Sequence, residues 1–516
     1  VADGHNGSTL PGVHETVVHM LVAAAERTPQ STALREGGRD LTYQQYLRCV
    51  GGFAAELVTL GARGGRVALV CGNSIDLAIA MFAVQAAGAQ AVPLNPLYTA
   101  RELRGILADA APIALLYDTA VAETVAPLAA EFGIEHAIEL GPGGRRLDEW
   151  AGDRTATLPT PLPRRDALAT LQYTGGTTGV PKGVNSSHRQ MSVNVSQREA
   201  MLPTRPDAER VLCVMPLFHV FAVSMCLHLA AYCRGLLAIL PAYRPEAVLD
   251  AIERERITLL PAGPTVFIGL MGFAGFESRD FSSLRVAYSG SAPLPAETLR
   301  RWQAITRCPI LEGYGQSEAG PVLTYVPEGG RIVPGSVGLP LPLTEVQIVD
   351  VETGTRILEP GETGEIRARG PQIMSGYRNR PEETAAALHD GWLYTGDIGE
   401  FDRDGYLFIR DRKKDMVITG GYNVYPREID EVLYAHPAVA EAAAFGMPDA
   451  YRGEVIRARV VLKPGAEASA DELLDHCRAN LAKYKLPASI DLVDILPKTT
   501  VGKIDKKTLR ATTTST

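Results

Sequence analysis

Cysteine, basic excess and uninterrupted apolar runs are all scarce in this chain. Seven cysteines stand at 49, 71, 213, 226, 233, 308 and 477, odd in number and never spaced C-x-x-C. That excludes a disulfide scaffold and the usual zinc-cluster spacings, and it predicts reduced thiols in a cytoplasmic protein. Lys and Arg number 51 against 59 Asp and Glu, a net charge of -8, so no concentrated basic face points to nucleic acid. The most apolar segment, "MPLFHVFAVSMCLHLAAYCRGLLAIL" (215–240), is broken by His219, His228, Arg234 and a proline. It therefore reads as a buried helix and strand and not as a transmembrane segment. The first residues, "VADGHNGSTLPGVHE", have neither the basic nor the apolar region of a signal peptide. No internal repeat is visible. "TATLPTPLP" (155–163) reads as linker and "ATTTST" at the end as a frayed tail.

What is present is the composition of an ordinary soluble protein, 46% hydrophobic and 21% charged over 516 residues, long enough for two or more domains. Apolar β-rich runs alternate with helical patterns. "GRVALVCGN" predicts a strand and turn, "SIDLAIAMFAVQAAGA" a helix, "QAVPLN" a strand, "ARELRGILADAA" a helix and "IALLYD" a strand. Such alternation implies an α/β fold of parallel-rich sheets covered by helices. A polar run near residue 412 breaks the rhythm. Beyond it "PREIDEVLYAHP" predicts a helix, "VAEAAAFGMPD" and "EVIRARVVLKP" strands, "SADELLDHCRANLAKY" a helix capped by Ser469 with Glu472, and "SIDLVDIL" a strand. This is the pattern of a small α+β domain. The expected division is 1–411 and 412–516, with the basic, turn-rich joint at 411–415 as hinge.

"LQYTGGTTGVPKG" (171–183) carries the first chemistry. Gly175, Gly176 and Gly179 allow close backbone approach, Thr174, Thr177 and Thr178 offer hydroxyls, and Lys182 offers a mobile cation. A glycine-rich turn of this kind closes its N–H groups on phosphate oxygens. It is not a Walker A loop, because Lys182 lies between Pro181 and Gly183.

The same string resembles the phosphate-loop signature of the acyl-adenylate-forming superfamily, which includes acyl-CoA synthetases, coumarate ligases, luciferases and peptide-synthetase adenylation domains. Further motifs follow in that family's order. "MPLFHVF" (215–221) resembles its aromatic motif, "YSGSAPLP" (288–295) its adenine-side loop and "EGYGQSEAGPV" (312–322) its adenine and magnesium motif. "GWLYTGDIGEFDRDGYLFIRDRKKDMVITGGYNVYP" (391–426) resembles the ribose site, hinge and thiolation loop, and "LPKTTVGKIDK" (496–506) the C-terminal lysine motif.

The resemblance implies a large N-terminal domain that also holds a distorted β-barrel, and a small mobile C-terminal domain. It implies ATP, Mg²⁺ and coenzyme A as small-molecule partners. Thr174, Gly175, Gly176, Thr177, Thr178 and Lys182 would hold phosphates. Ser291, Ala292, Glu312, Gly313 and Ser317 would frame the adenine on which Tyr314 stacks. Asp397 and Arg412 would meet ribose hydroxyls. Glu318 would ligate Mg²⁺ with Thr178, since that ion takes few carboxylates and shares phosphate oxygens. Lys503 would reach the carboxylate and α-phosphate as charge builds there. Lys414 would be the hinge residue, and Gly420 and Gly421 would belong to the loop beside which a thiol attacks. His219, Phe221, Gly290, Pro321 and Val322 would line the acid site, with His219 at its entrance.

The implied reaction makes acyl-AMP and pyrophosphate, then a thioester. The acid reads first as a medium- or long-chain fatty acid and second as an aryl acid of coumarate type. No cation in "HVFAVSM" would pair a second carboxylate. An adenylating enzyme that loads a carrier protein is the alternative of another class, and a homodimer is left open.

Overall fold

The computed structural model describes residues 10–174, 181–419, 422–449, 451–499 and 504–513. Two large sheets form the body. The first has nine described strands, with a parallel centre that runs Ile310–Gly315, Val286–Ser289, Leu259–Ala262, Arg210–Cys213, Leu236–Ile239 and Thr32–Glu36. The second has seven, ordered Gly376–Tyr377, Lys182–Ser187, Leu168–Thr174, Gln90–Leu94, Arg66–Val70, Ala114–Asp118 and His136–Leu140. The strand and helix expectations for residues 66–118 hold in register, for Arg66–Val70 pairs in parallel with both Gln90–Leu94 and Ala114–Asp118.

Helix Ile75–Ala86 is buried at every position, which explains its nearly all-apolar sequence. Its Asp76 is tolerated there because it accepts from the Leu147 N–H at 2.6 Å and pairs with Arg39 at 3.0 Å. The third sheet is antiparallel and curled, built from Glu345–Val349, Gly364–Arg369, Leu388–His389, Trp392–Phe401 and Leu407–Arg412. It stands where the resemblance implies a distorted barrel.

The smaller C-terminal unit pairs Val439–Asp449 with Gly453–Leu462, edged by Val417–Thr419, Tyr422–Val424 and Ser489–Leu492, and packs helices Pro426–Tyr434 and Ala470–Asn480 on the sheet. The Ser469 capping box forms, with the Glu472 N–H donating to Ser469 Oγ at 3.2 Å. The last helix corrects the expectation of a frayed end. Lys506–Thr513 carries a turn into "ATTTST", because Asp505 caps it through the Lys507 and Thr508 N–H groups and Leu509 is fully buried.

The apolar run 215–240 is a buried helix and strand, as its composition implies, but the helix has a π-helical centre, Val223–His228. Among the described residues no helix is long and apolar enough to cross a membrane. All seven cysteines are buried free thiols.

Candidate active site

The site lies at the carboxyl ends of the parallel strands Val286–Ser289 and Ile310–Gly315, where ligands of open α/β sheets bind. Ser289 sits opposite Glu312 in that register, so the chain leaving one strand (Gly290, Ser291, Ala292) faces the start of the "EGYG" turn. Gly290 has no room for a side chain, because a Cβ there would lie 2.9 Å from the Phe221 ring. Gly313 is as tight, at 2.4 Å from the Tyr325 ring. Ser291 holds φ at 70°, a left-handed conformation uncommon for non-glycine residues.

Glu312 is buried, and its Oε2 accepts from the Leu294 N–H at 2.9 Å. Burial pushes its carboxyl up to about 8, against the pull of the Arg427 guanidinium on helix Pro426–Tyr434. Arg427 itself is seated on the third sheet, donating from its backbone N–H to Asp411 at 3.0 Å and from Nη1 to the Ile409 carbonyl at 2.6 Å.

Tyr314 and Asp397, assigned to adenine and ribose, are joined: the phenol donates to Asp397 Oδ2 at 2.6 Å. Arg412 lies directly across the ladder from Asp397, with Nε 3.7 Å from Oδ1. The three side chains therefore share one corner of the cleft. Lys414 lies two residues on, and desolvation followed by the Arg412 charge lowers its ammonium from the ordinary value.

Glu318 is the middle residue of a one-turn 3₁₀ segment, Ser317–Ala319, and its Oε1 accepts from the Tyr377 phenol at 2.7 Å. The Tyr377 ring also lies 4.4 Å from Lys182 Nζ, a cation–π contact. Strand Gly376–Tyr377 pairs with Lys182–Ser187, which is how a residue absent from the sequence assignments comes to sit between the phosphate-loop lysine and the candidate metal carboxylate. Glu318 fits a magnesium ligand in kind, a buried carboxylate held by one hydrogen bond at a polyphosphate turn; bound there the ion would neutralise charge shared with phosphate oxygens.

On the acid side His219 caps the turn Val220–Ala222, with its Nδ1 accepting from the Phe221 N–H at 3.3 Å. Val322 is clamped by Asn194 of helix His188–Met201, whose amide donates to the Val322 carbonyl at 2.9 Å and accepts from its N–H at 3.1 Å. Pro321 precedes it on the same turn. Thr174 ends its strand with Oγ1 3.5 Å from the Lys182 carbonyl. Gly175, Gly176, Thr177, Thr178, Gly420, Gly421 and Lys503 lie outside the described residues. The flanks of Lys503 are tied down: Lys498 pairs with Glu441 at 2.5 Å and Lys506 with Asp430 at 3.7 Å.

Residues 21–378 match the family model for the AMP-binding enzyme, and residues 428–503 match that for the AMP-binding enzyme C-terminal domain. The chain belongs to the AMP-binding enzyme family. A long-chain-fatty-acid–CoA ligase of Bacillus subtilis (strain 168) is 38% identical over 97% of this chain and 95% of its own. A feruloyl-CoA synthase of an Amycolatopsis species is 39% identical over 95% and 97%. Among solved structures, ATP-bound MatB from Rhodopseudomonas palustris superposes with a TM-score of 0.88 at 33% identity, covering 96% of this chain and 98% of that one. The anthranilate CoA ligase AuaEII, in complex with anthranoyl-AMP, reaches 0.91 at 29% identity over 97% and 98%. Membership makes this protein an AMP-forming acid–thiol ligase of the acyl-CoA synthetase kind, with ATP, Mg²⁺ and coenzyme A as its requirements.

Proposed function

We propose that the enzyme activates an apolar-tailed carboxylic acid to acyl-AMP and then transfers the acyl group to the thiol of coenzyme A. The observation that carries this reading is the set of contacts gathered around the ends of strands Val286–Ser289 and Ile310–Gly315. The Tyr314–Asp397–Arg412 corner and the Glu318–Tyr377–Lys182 chain form its polar part, and the Phe221–Gly290 contact and Asn194-held Val322 form its apolar part.

In the first half-reaction a carboxylate oxygen attacks the α-phosphorus and pyrophosphate leaves. Lys182 steadies the leaving phosphates, and Asp397 with Arg412 holds the ribose so that the attack is in line. Lys503 supplies a cation where the carboxylate and α-phosphate crowd negative charge. In the second half the small unit, bounded at 411/412, turns about Lys414. Lys503 is withdrawn and the 418–423 loop takes its place beside the incoming thiol. The thiolate carbon–sulfur bond forms as AMP leaves with the electron pair, and the thiol proton passes to solvent.

Two tails fit. The fatty reading draws on the Bacillus subtilis relative. The aryl reading draws on the Amycolatopsis relative and on the narrow gap where the Phe221 ring closes on Gly290. Acid-dependent exchange of labelled pyrophosphate into ATP, followed by thioester formation with free coenzyme A, tests the reading. Exchange without thioester would point to a carrier-protein acceptor, and exchange with no acid of any class would overturn the assignment.

A further inference from the structure

Asp109 has no part in the chemistry so far, and its place in its own helix is unfavourable. It is the penultimate residue of helix Ala100–Ala110, where a negative charge opposes the helix dipole. Its partners lie on other elements. Oδ2 accepts from the Tyr173 phenol at 2.6 Å, Oδ1 accepts from the Asn379 amide at 3.0 Å, and the Asp109 carbonyl accepts from Arg378 Nε at 2.7 Å. Tyr173 belongs to strand Leu168–Thr174, and Arg378 and Asn379 directly follow strand Gly376–Tyr377. One residue therefore fastens two strands whose partners stand 64 and 269 residues from it in sequence.

Both strands lead to Lys182. Tyr173 faces Gly183 across the ladder, and Thr174 faces Lys182. Gly183 lies so close over Tyr173 that a Cβ there would come within 3.2 Å of the ring and 2.8 Å of the Leu171 side chain. From the other strand, the Arg378 N–H donates to the Gly183 carbonyl at 2.8 Å. The neighbouring Tyr377 carries Lys182 Nζ over its ring at 4.4 Å while its phenol donates to Glu318 at 2.7 Å. The backbone beside Lys182 and the ring beneath its ammonium thus depend on the same residue. A buried phenol needs an acceptor, which would account for the Tyr173 contact by itself. It leaves the contacts of Arg378 and Asn379 unexplained.

We propose that Asp109 is a positioning residue for the polyphosphate: without touching substrate, it braces the two strands that set Lys182 and Tyr377, and so holds the lysine at the phosphates that leave as pyrophosphate. The proposal rests on the assignment of Lys182 to those phosphates and adds the residue that places it. Loss of the brace should separate two nucleotides. ATP carries the leaving phosphates and AMP does not, while both offer the same base and ribose to Tyr314, Asp397 and Arg412.

The test measures binding of ATP with Mg²⁺, and of AMP, to the full chain by titration calorimetry. Asp109→Ala should weaken ATP about 10- to 100-fold, the scale of losing an outer partner that orients a ligating group, and AMP by less than about twofold. Asp109→Asn keeps an oxygen for the Asn379 amide and a polar group for the Tyr173 phenol, so it should restore most of the ATP affinity. If Asp109→Ala does not fold, Tyr173→Phe, which removes one contact and keeps the ring, should weaken ATP severalfold and leave AMP unchanged. Equal loss for both nucleotides would overturn the brace and mark Asp109 as structural. Unchanged ATP binding, or an Asp109→Asn variant no better than Asp109→Ala, would overturn it too. Lys182→Ala checks the assignment beneath. If it leaves ATP binding unchanged, Lys182 is not at the phosphates and the brace falls with it; if it weakens ATP where Asp109→Ala does not, the brace alone falls.

Discussion

The nucleotide side and the acid side of the cleft are built on opposite terms. On the nucleotide side several polar side chains are engaged with one another: Tyr314 with Asp397, Asp397 with Arg412, Tyr377 with Glu318 and Lys182. On the acid side it is the backbone that is clamped, as Asn194 clamps Val322. Preorganised partners suit a ligand that never changes, since they hold charges and hydroxyls ready without reorganisation. Clamped backbone leaves the discrimination of acids to apolar contacts, which tell near neighbours apart by only about 1–3 kcal/mol per methylene.

The largest effect should come from the residue that completes the nucleotide side only transiently. Lys503→Ala should lower acyl-AMP formation by about two to three orders of magnitude, the scale of losing one transition-state donor. Given ready-made acyl-AMP and coenzyme A, the variant should make thioester near the parent's rate. The melting temperature should hardly move, because the ion pairs Lys498–Glu441 and Lys506–Asp430 on either flank remain. Equal loss of both half-reactions would mean that the two sides are not served in turn by one moving unit.

The second effect is one of pH and probes Glu312, the buried carboxyl where the two sides meet. Its folded-state value, about 8, lies above the ordinary 4.5, so the folded protein binds a proton that the unfolded chain gives up. Stability from this group is complete below pH 4.5 and is lost as pH rises through 8. Glu312→Gln keeps an acceptor for the Leu294 N–H and carries no charge. Its stability relative to the parent should therefore grow between pH 5 and 8 by on the order of 2–4 kcal/mol, read by urea denaturation at each pH. A constant difference across that window would show that Glu312 is ionised throughout and balanced by Arg427.

Much of the fold was legible because its signals are local. The strand–helix alternation over 66–118, the Ser469 capping box and the shortened pattern after 412 are read within ten or so residues, and all appear. The site motifs were legible for the same reason, and the structure brings Tyr314, Asp397 and Arg412 to one corner although they come from two runs of sequence. What escaped was nonlocal. Tyr377 meets Glu318 across 59 residues and Asn194 meets Val322 across 128, and neither Tyr377 nor Asn194 lies in a motif. The polar stretch "SVNVSQRE" (192–199) is buried throughout, covered in part by the N-terminal segment, with the Ser192 hydroxyl donating to the His14 carbonyl at 2.6 Å. The terminal helix was missed because threonine-rich sequence has poor helix propensity, and burial of Leu509 overrides it.

The smallest effect tests whether the nucleotide side is as preorganised as its partners imply. Tyr377→Phe removes the hydroxyl that donates to Glu318 at 2.7 Å but leaves the ring face under Lys182. A hydrogen bond to a charged group contributes about 1.5–3 kcal/mol, and here solvent or a metal ion can take over part of its role. Pyrophosphate exchange at saturating Mg²⁺ should fall no more than about tenfold, about 1.4 kcal/mol on the scale of rates. The Mg²⁺ concentration for half-maximal exchange should shift, because the carboxylate is no longer oriented from behind. The same variant should leave the parent's order of preference among acids unchanged, since the Tyr377 hydroxyl and ring face meet Glu318 and Lys182. A changed acid preference would show that the two sides are coupled through the "EGYGQSEAGPV" turn, and the contrast between them would then be one of degree.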